Sequence, residues 1–141
     1  MALLERLILA IDFDGVIKSG KRAKIGYSQN IVKDCKKYIK LLSDQGCILV
    51  LWTCRIPYYG KDNKAYYNAS LNRAIGFLEE HDILKYFSTI NCNPPIVPWH
   101  TGNKIYADYY IDDLNLGGFP GWKRVYEIVM QDPCFKEVKE G

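Results

Sequence analysis

Two hydrophobic periodicities alternate along the chain. Residues 7–11, LILAI, form a short continuous apolar run, and residues 47–52, CILVLW, form another. Runs this short and unbroken predict strands buried on both faces of a sheet. Shorter or more mixed runs predict a third strand at 88–91 and a fourth at 105–111. Between them, apolar positions recur every three or four residues. Ile31, Val32, Cys35, Tyr38, Ile39 and Leu42 make one stripe, opposed by Lys33, Asp34, Lys36, Lys37 and Lys40. Ser28 or Asn30 is placed to cap that helix and Gly46 to end it. A second stripe runs through Tyr67, Leu71, Ala74, Ile75 and Leu78, with Asp62 as its cap and an end near Glu80. A third starts at Pro120, carries Trp122, Val125, Tyr126 and Val129, and is stopped by Asp132-Pro133. Strand alternating with helix predicts one α/β domain over residues 1–141. Its expected form is a Rossmann-like open sheet, mainly parallel, with helices on both faces.

The connecting stretches are of different kinds. Residues 18–24, KSGKRAK, read as an exposed basic loop or hairpin. Residues 92–98, CNPPIVP, hold three prolines and cannot form a regular element, and Trp99, His100, Thr101 and Gly102 continue that loop. The tail from Phe135 is short and charged and is expected to fray.

Composition narrows the class. With 141 residues, 48% hydrophobic and 25% charged, the chain is long enough for one sizeable core and reads as a soluble globular protein. A net charge of +3 is compatible with phosphate-bearing substrates but does not itself indicate nucleic-acid binding. The eleven tyrosines suit a wet, aromatic-rich surface or pocket. Five cysteines, at 35, 47, 54, 92 and 134, are odd in number and contain no C-x-x-C pair. That argues against a zinc site or a disulfide framework and for a reducing compartment. None has an arginine six residues on, which excludes a cysteine-phosphatase loop. The apolar start is interrupted by Glu5 and Arg6, and Asp12 and Asp14 follow it, so no secretion signal is expected. No run approaches the roughly 20 apolar residues of a membrane span. A cytoplasmic protein that does not engage membranes is the expectation.

The strand ends carry the chemistry. In an open parallel sheet, ligands bind beyond the carboxyl ends of the strands, near the point where strand order reverses. The first strand ends in Asp12 and Asp14, the second in Thr53 with Arg55 close by, and the fourth follows Lys104 and ends in Asp112 and Asp113. Each has an ordinary structural explanation alone: a solvated turn for the aspartates, a turn hydrogen bond for Thr53, a surface position for Lys104. Together, four carboxylates near one edge would repel each other strongly. A divalent cation relieves this, and magnesium suits a few carboxylates plus a substrate phosphate. Arg55 either contacts substrate or neutralises the acidic cluster. Cys54 reads as packing, His100 as a loop residue, and Asp108 sits inside a predicted strand without an evident role.

IDFDGVI, the threonine in LVLWTCR, Lys104 and the run ADYYIDD, in this order, resemble the four motifs of the haloacid dehalogenase superfamily on its phosphatase branch. The last run also resembles the deoxyribonucleotidase branch, and more closely small uncharacterised bacterial and phage members. The resemblance spans nearly the whole chain. It implies a magnesium-dependent phosphomonoester hydrolase. Asp12 would be the nucleophile, forming an aspartyl-phosphate, and Asp14 the acid and then base. Thr53 and Lys104 would hold the phosphoryl oxygens. Asp12, the main-chain carbonyl of Asp14, and Asp112 or Asp113 would bind the metal. Adjacent residues of an extended chain point apart, so one of the last pair would ligate and the other support it.

Neither interval between motifs has room for a full cap domain. An uncapped site suits a large or exposed substrate, such as a nucleic-acid end or a phosphoprotein, or a small one enclosed by a partner subunit of a homo-oligomer. The basic loop and the tyrosines at 58, 59, 66 and 67 permit nucleotide stacking. The alternative from another class is a non-catalytic phosphate-binding or interaction module. Dehalogenation is disfavoured because it needs no leaving-group acid, and Asp14 is present.

Overall fold

Four parallel strands carry the chemistry-bearing positions. The computed structural model describes residues 6–19, 30–55, 70–97 and 104–136, together with two short strands at 58–59 and 65–66. The chain runs β1 (Ile8–Ile11), α1 (Cys35–Asp44), β2 (Ile48–Leu51), β3 (Tyr58–Tyr59), β4 (Ala65–Tyr66) and α2 (Ser70–Glu80). A 3-10 turn at Leu84–Tyr86 leads into β5 (Phe87–Ile90), and β6 (Tyr109–Ile111), α3 (Trp122–Met130) and α4 (Pro133–Lys136) complete it. The main sheet has the order β5-β2-β1-β6, every pairing parallel, while β3 and β4 form a separate antiparallel pair. This is an α/β, Rossmann-like fold, with no large cap among the described residues.

The strand period of two sorts the core into two layers. Leu7, Leu9, Ile11, Leu49, Leu51 and Ile111 share one cluster with Cys35, Ile39 and Leu42 of α1, Ala74 and Leu78 of α2, and Trp122, Val125 and Val129 of α3. Ile8, Ala10, Ile48 and Val50 point the other way, against Ile105, Ile96, Val97, Tyr106 and Tyr110. Among the described residues the three long helices therefore pack on one face, and an irregular segment covers the face where further helices were expected. Direction of travel and proline account for this. From β1 to β2 to β5 the chain moves one way across the sheet, then returns past β1 to β6. A right-handed connection in that reverse direction has to cross the opposite face. Pro94 and Pro95 keep it from coiling as it crosses.

Several boundaries differ from those the pattern predicts. Ile31 and Val32 are not helical. Lys18 bridges to Ile31, Ser19 N–H donates to Asn30 C=O at 2.8 Å, and Val32 N–H donates to Ile17 C=O at 2.7 Å. Pairing with 17–19 keeps 30–32 extended, and α1 begins after Asp34, which is left-handed at φ 64° and gives no side-chain cap. Neither Asn30 nor the expected Ser28, outside the described residues, is adjacent to that start. The end is as expected: Gly46, at φ 90°, donates its N–H to Ser43 C=O. The helix expected from Asp62 begins only at Ser70, because β4 occupies 65–66. Asp62, Tyr67 and His100 lie outside the described residues. Pro133 ends α3 but also opens α4, suiting the first turn of a helix where its missing N–H costs nothing.

The last strand is three residues, against an expected seven, and Asp108 shows why. Its N–H donates to Ile8 C=O at 2.8 Å, and its carboxylate accepts the Ile8 N–H at 2.8 Å and the Tyr106 hydroxyl at 3.1 Å. Asp108 thus fastens the entry of β6 to the entry of β1, and the ladder begins one residue later.

Candidate active site

β1 lies where the strand order reverses, with β2 on one side and β6 on the other. At its carboxyl end, Asp12 N–H donates to Ile111 C=O at 2.9 Å and Trp52 N–H donates to Ile11 C=O at 2.9 Å. These bonds hold the ends of three strands level. The chain then turns tightly, with Phe13 C=O accepting from the N–H groups of Val16, Ile17 and Lys18. Phe13 is fully buried against the edge of Phe77 from α2, with ring centroids 5.5 Å apart. Trp122 is buried as well, and its indole N–H donates to Val16 C=O at 2.8 Å. The core helices thereby set the loop that carries Asp14.

Asp12, Asp112 and Asp113 converge, with one carboxylate oxygen of each within 4.8 Å of the others. All three are half-buried. Burial, reinforced by the negative charge of Asp112, pushes the Asp12 carboxyl up to about 8. Burial also raises Asp113, and a hydrogen bond that its protonated form gives to Asp112 adds to it. Asp112 accepts the Leu114 N–H at 2.9 Å, which fixes the turn after β6. Gly15 makes the convergence possible. Its φ is +84°, and a Cβ there would overlap the Asp113 carboxylate. An all-oxygen set of carboxylates that crowd one another fits a hard divalent cation better than it fits three free charges.

Asp14 does not join that cluster through its side chain. Its two carboxylate oxygens accept from Arg55 Nε at 2.9 Å and Nη2 at 2.7 Å. Both side chains are about 15% exposed. The guanidinium lies 4.9 Å from the centre of the Phe13 ring and donates through Nη1 to Ser70 C=O at 3.0 Å, at the start of α2. Of the two roles left open for Arg55, charge neutralisation is the one made here.

Thr53 is buried at the end of β2, and its hydroxyl oxygen accepts the Arg55 N–H at 3.2 Å. That leaves its own O–H available as a donor. Lys104 is exposed, with its ammonium 4.8 Å from the centre of the Tyr110 ring, and it makes no hydrogen bond or ion pair with the aspartates. The structure thus brings Asp12, Asp112 and Asp113 into one group and Asp14 and Arg55 into another. Thr53 is tied to the second, and Lys104, on the Tyr110 ring, is bonded to neither. Cys54 is exposed, so it does not pack as expected.

Two residues at this edge escape the sequence reading. Lys18, expected in an exposed loop, is buried in the turn after β1, and its C=O accepts the Gly15 N–H at 2.9 Å. Asn91, just past β5, is left-handed at φ 56° and directs its amide at the loop after β2. Thr53 N–H donates to Asn91 Oδ1 at 2.8 Å, and Asn91 Nδ2 donates to Arg55 C=O at 3.3 Å. The rule that polar residues at the carboxyl end of a parallel strand face the ligand, applied to the third strand, would have marked Asn91.

No family model matches the chain, and no curated protein does. A solved structure described as that of a conserved protein from Bacteroides thetaiotaomicron is similar, with 28% sequence identity and a TM-score of 0.68. The match covers 89% of this chain and 91% of that one. It supports the fold and carries no statement of activity.

Proposed function

We propose that the protein is a magnesium-dependent phosphomonoester hydrolase of the haloacid dehalogenase type, acting through an aspartyl-phosphate. The observation that carries this reading is the separation of two carboxylates two residues apart into different electrostatic settings. Asp12 sits in a crowded acidic group with Asp112 and Asp113, while Asp14 is matched with a guanidinium. A nucleophile that shares a metal and an acid–base partner that does not share it need this division.

In this reading Asp12, Asp112 and Asp113, with the Asp14 carbonyl, would hold magnesium, which would neutralise phosphoryl and carboxylate charge. Once Arg55 has released Asp14 and that carboxylate has taken a proton from solvent, Asp12 attacks phosphorus as the bond to the leaving oxygen breaks, and Asp14 gives that oxygen the proton. Asp14 then takes a proton from the water that hydrolyses the aspartyl-phosphate. Thr53 donates its hydroxyl to a phosphoryl oxygen. Lys104, resting on Tyr110 two residues before Asp112, supplies positive charge from the second face. Arg55 has to loosen from Asp14 for proton transfer, and an arriving phosphoryl group offers its fork an alternative bidentate partner. A nucleotide or nucleic-acid end is the substrate class proposed, in keeping with the lack of a large cap among the described residues and with the small positive charge.

Purified protein with p-nitrophenyl phosphate and magnesium should turn over, and Asp12→Asn should abolish turnover. Inactivity toward this and a broad panel of phosphate esters would instead favour a non-catalytic phosphate-binding module.

A further inference from the structure

We infer that Asn91 is a positioning residue that sets the phosphate-binding loop after β2, an inference that rests on the phosphatase reading above. The three-residue segment Thr53-Cys54-Arg55 of that loop carries two groups assigned to substrate, Thr53 and Arg55. Asn91 grips both of its ends: its carboxamide oxygen accepts the Thr53 N–H at 2.8 Å, and its amide nitrogen donates to the Arg55 C=O at 3.3 Å. Inside the grip, Arg55 N–H donates to the Thr53 hydroxyl at 3.2 Å.

The clamp is itself held in place by the backbone. Asn91 N–H donates to Leu51 C=O at 2.7 Å, so the residue is anchored to the last residue of β2. Its backbone is left-handed, a conformation asparagine tolerates better than most residues. That turn ends β5 and aims the side chain back across β2 instead of onward along the strand. A carboxamide, with a donor and an acceptor on one planar group, satisfies an N–H and a C=O that face the same space. An aspartate keeps the acceptor and sets an oxygen against the Arg55 carbonyl. A glycine keeps the backbone conformation and removes both bonds. The carboxamide therefore fixes where the Thr53 hydroxyl stands and how far Arg55 is from Asp14, without itself touching the reacting atoms.

The test compares kcat and KM for p-nitrophenyl phosphate with magnesium in wild type, Asn91→Gly, Asn91→Asp, Thr53→Ala and the Thr53→Ala/Asn91→Gly double variant. Urea unfolding of each runs alongside. Misplacing a phosphate ligand by a fraction of an ångström is expected to lower kcat of Asn91→Gly by about ten- to hundredfold, with Asn91→Asp in between. In the Thr53→Ala background the same glycine substitution should cost far less, because its main target is gone. A folded Asn91→Gly within about twofold of wild type, or a double variant whose losses simply multiply, overturns the inference. If Asn91→Gly does not fold, Asn91→Asp takes its place, and wild-type kinetics there overturn it equally. A wild-type protein that hydrolyses no phosphate ester overturns the phosphatase reading and this inference with it. Wild-type turnover with an unaffected Asn91 variant overturns the clamp alone.

Discussion

Asp12 and Asp14 are separated by one residue, yet the fold treats them in opposite ways. Asp12 is placed among carboxylates, where burial and the charge of Asp112 push it up to about 8. Asp14 is placed against Arg55, which meets both of its oxygens and is itself supported by Phe13 and the Ser70 carbonyl. Among the described residues, carboxylates crowd one site and a guanidinium is matched to the other. The lesson is that the edge is not a uniform acidic patch. A solvated acidic patch would leave its carboxylates exposed, whereas this edge keeps both pairs of Asp14 and Arg55 atoms largely away from water. It concentrates the deficit at the strand-order reversal, where a cation can correct it.

The largest expected effect tests the crowded half. Asp12→Asn should remove turnover entirely if Asp12 is the nucleophile, because an amide cannot form the acyl phosphate. In a metal-free buffer at pH 8 the same substitution should raise the urea midpoint, since it removes a charge from a group that resists ionisation. An Asp12→Asn protein that is less stable than wild type under those conditions would mean that Asp12 is not disfavoured by its acidic neighbours.

The next effect tests the matched half. Arg55→Ala leaves a poorly exposed carboxylate without its bidentate partner and should cost about 1.5–3 kcal/mol in urea unfolding, the range for hydrogen bonds to charged groups. A nucleotide and sugar-phosphate panel run on the same variant sharpens its role. Equal losses on all substrates would make Arg55 electrostatic support, and unequal losses would make it a specificity residue.

The third concerns pH. Asp12 is raised from 3.8 to about 8. The metal-free folded state therefore holds a proton that the unfolded state releases. That contribution is fully present below about pH 4 and is lost as pH climbs through about 8, so stability in EDTA should fall across this window. Asp113 shifts in the same direction and adds to the slope. Magnesium bound as proposed would have to displace the proton, so its affinity should rise with pH over the same range, and added magnesium should flatten the stability profile. A profile in EDTA that rises from pH 4 to 8 would overturn this picture.

The smallest effect is assigned to Lys104→Ala. Its ammonium is parked on the Tyr110 ring and touches neither half of the edge, so its loss should lower kcat/KM less than Thr53→Ala does. A larger loss would mean that the lysine moves to the substrate during turnover.

Much of the fold was legible because buried strands and amphipathic helices leave clear periodic signals. The runs ILAI and ILVL became β1 and β2 with every residue buried, and Tyr38, Ile39 and Leu42 face the core from α1 as their spacing predicts. The alternation of elements and the aspartates at the strand ends were enough to locate the edge where Asp12, Asp112 and Asp113 meet. Short-range patterning could not show that Ile31 and Val32 would pair with 17–19, nor that the Asp108 carboxylate would replace part of a strand ladder.

What the sequence by itself determined is local: which segments are apolar enough to be strands, where glycine and proline break them, and that carboxylates, a threonine and an arginine follow the strands. The tertiary structure alone decided how those groups are partnered. Strand order placed Asp112 and Asp113 beside Asp12, a left-handed Asn91 reached over to bracket Thr53 and Arg55, and Phe13 offered its ring to the guanidinium that holds Asp14. The physical reason is range. Hydrophobic periodicity is written in neighbours three or four positions apart. The electrostatics of this edge depend on pairs up to a hundred positions apart, which meet only when the sheet assembles.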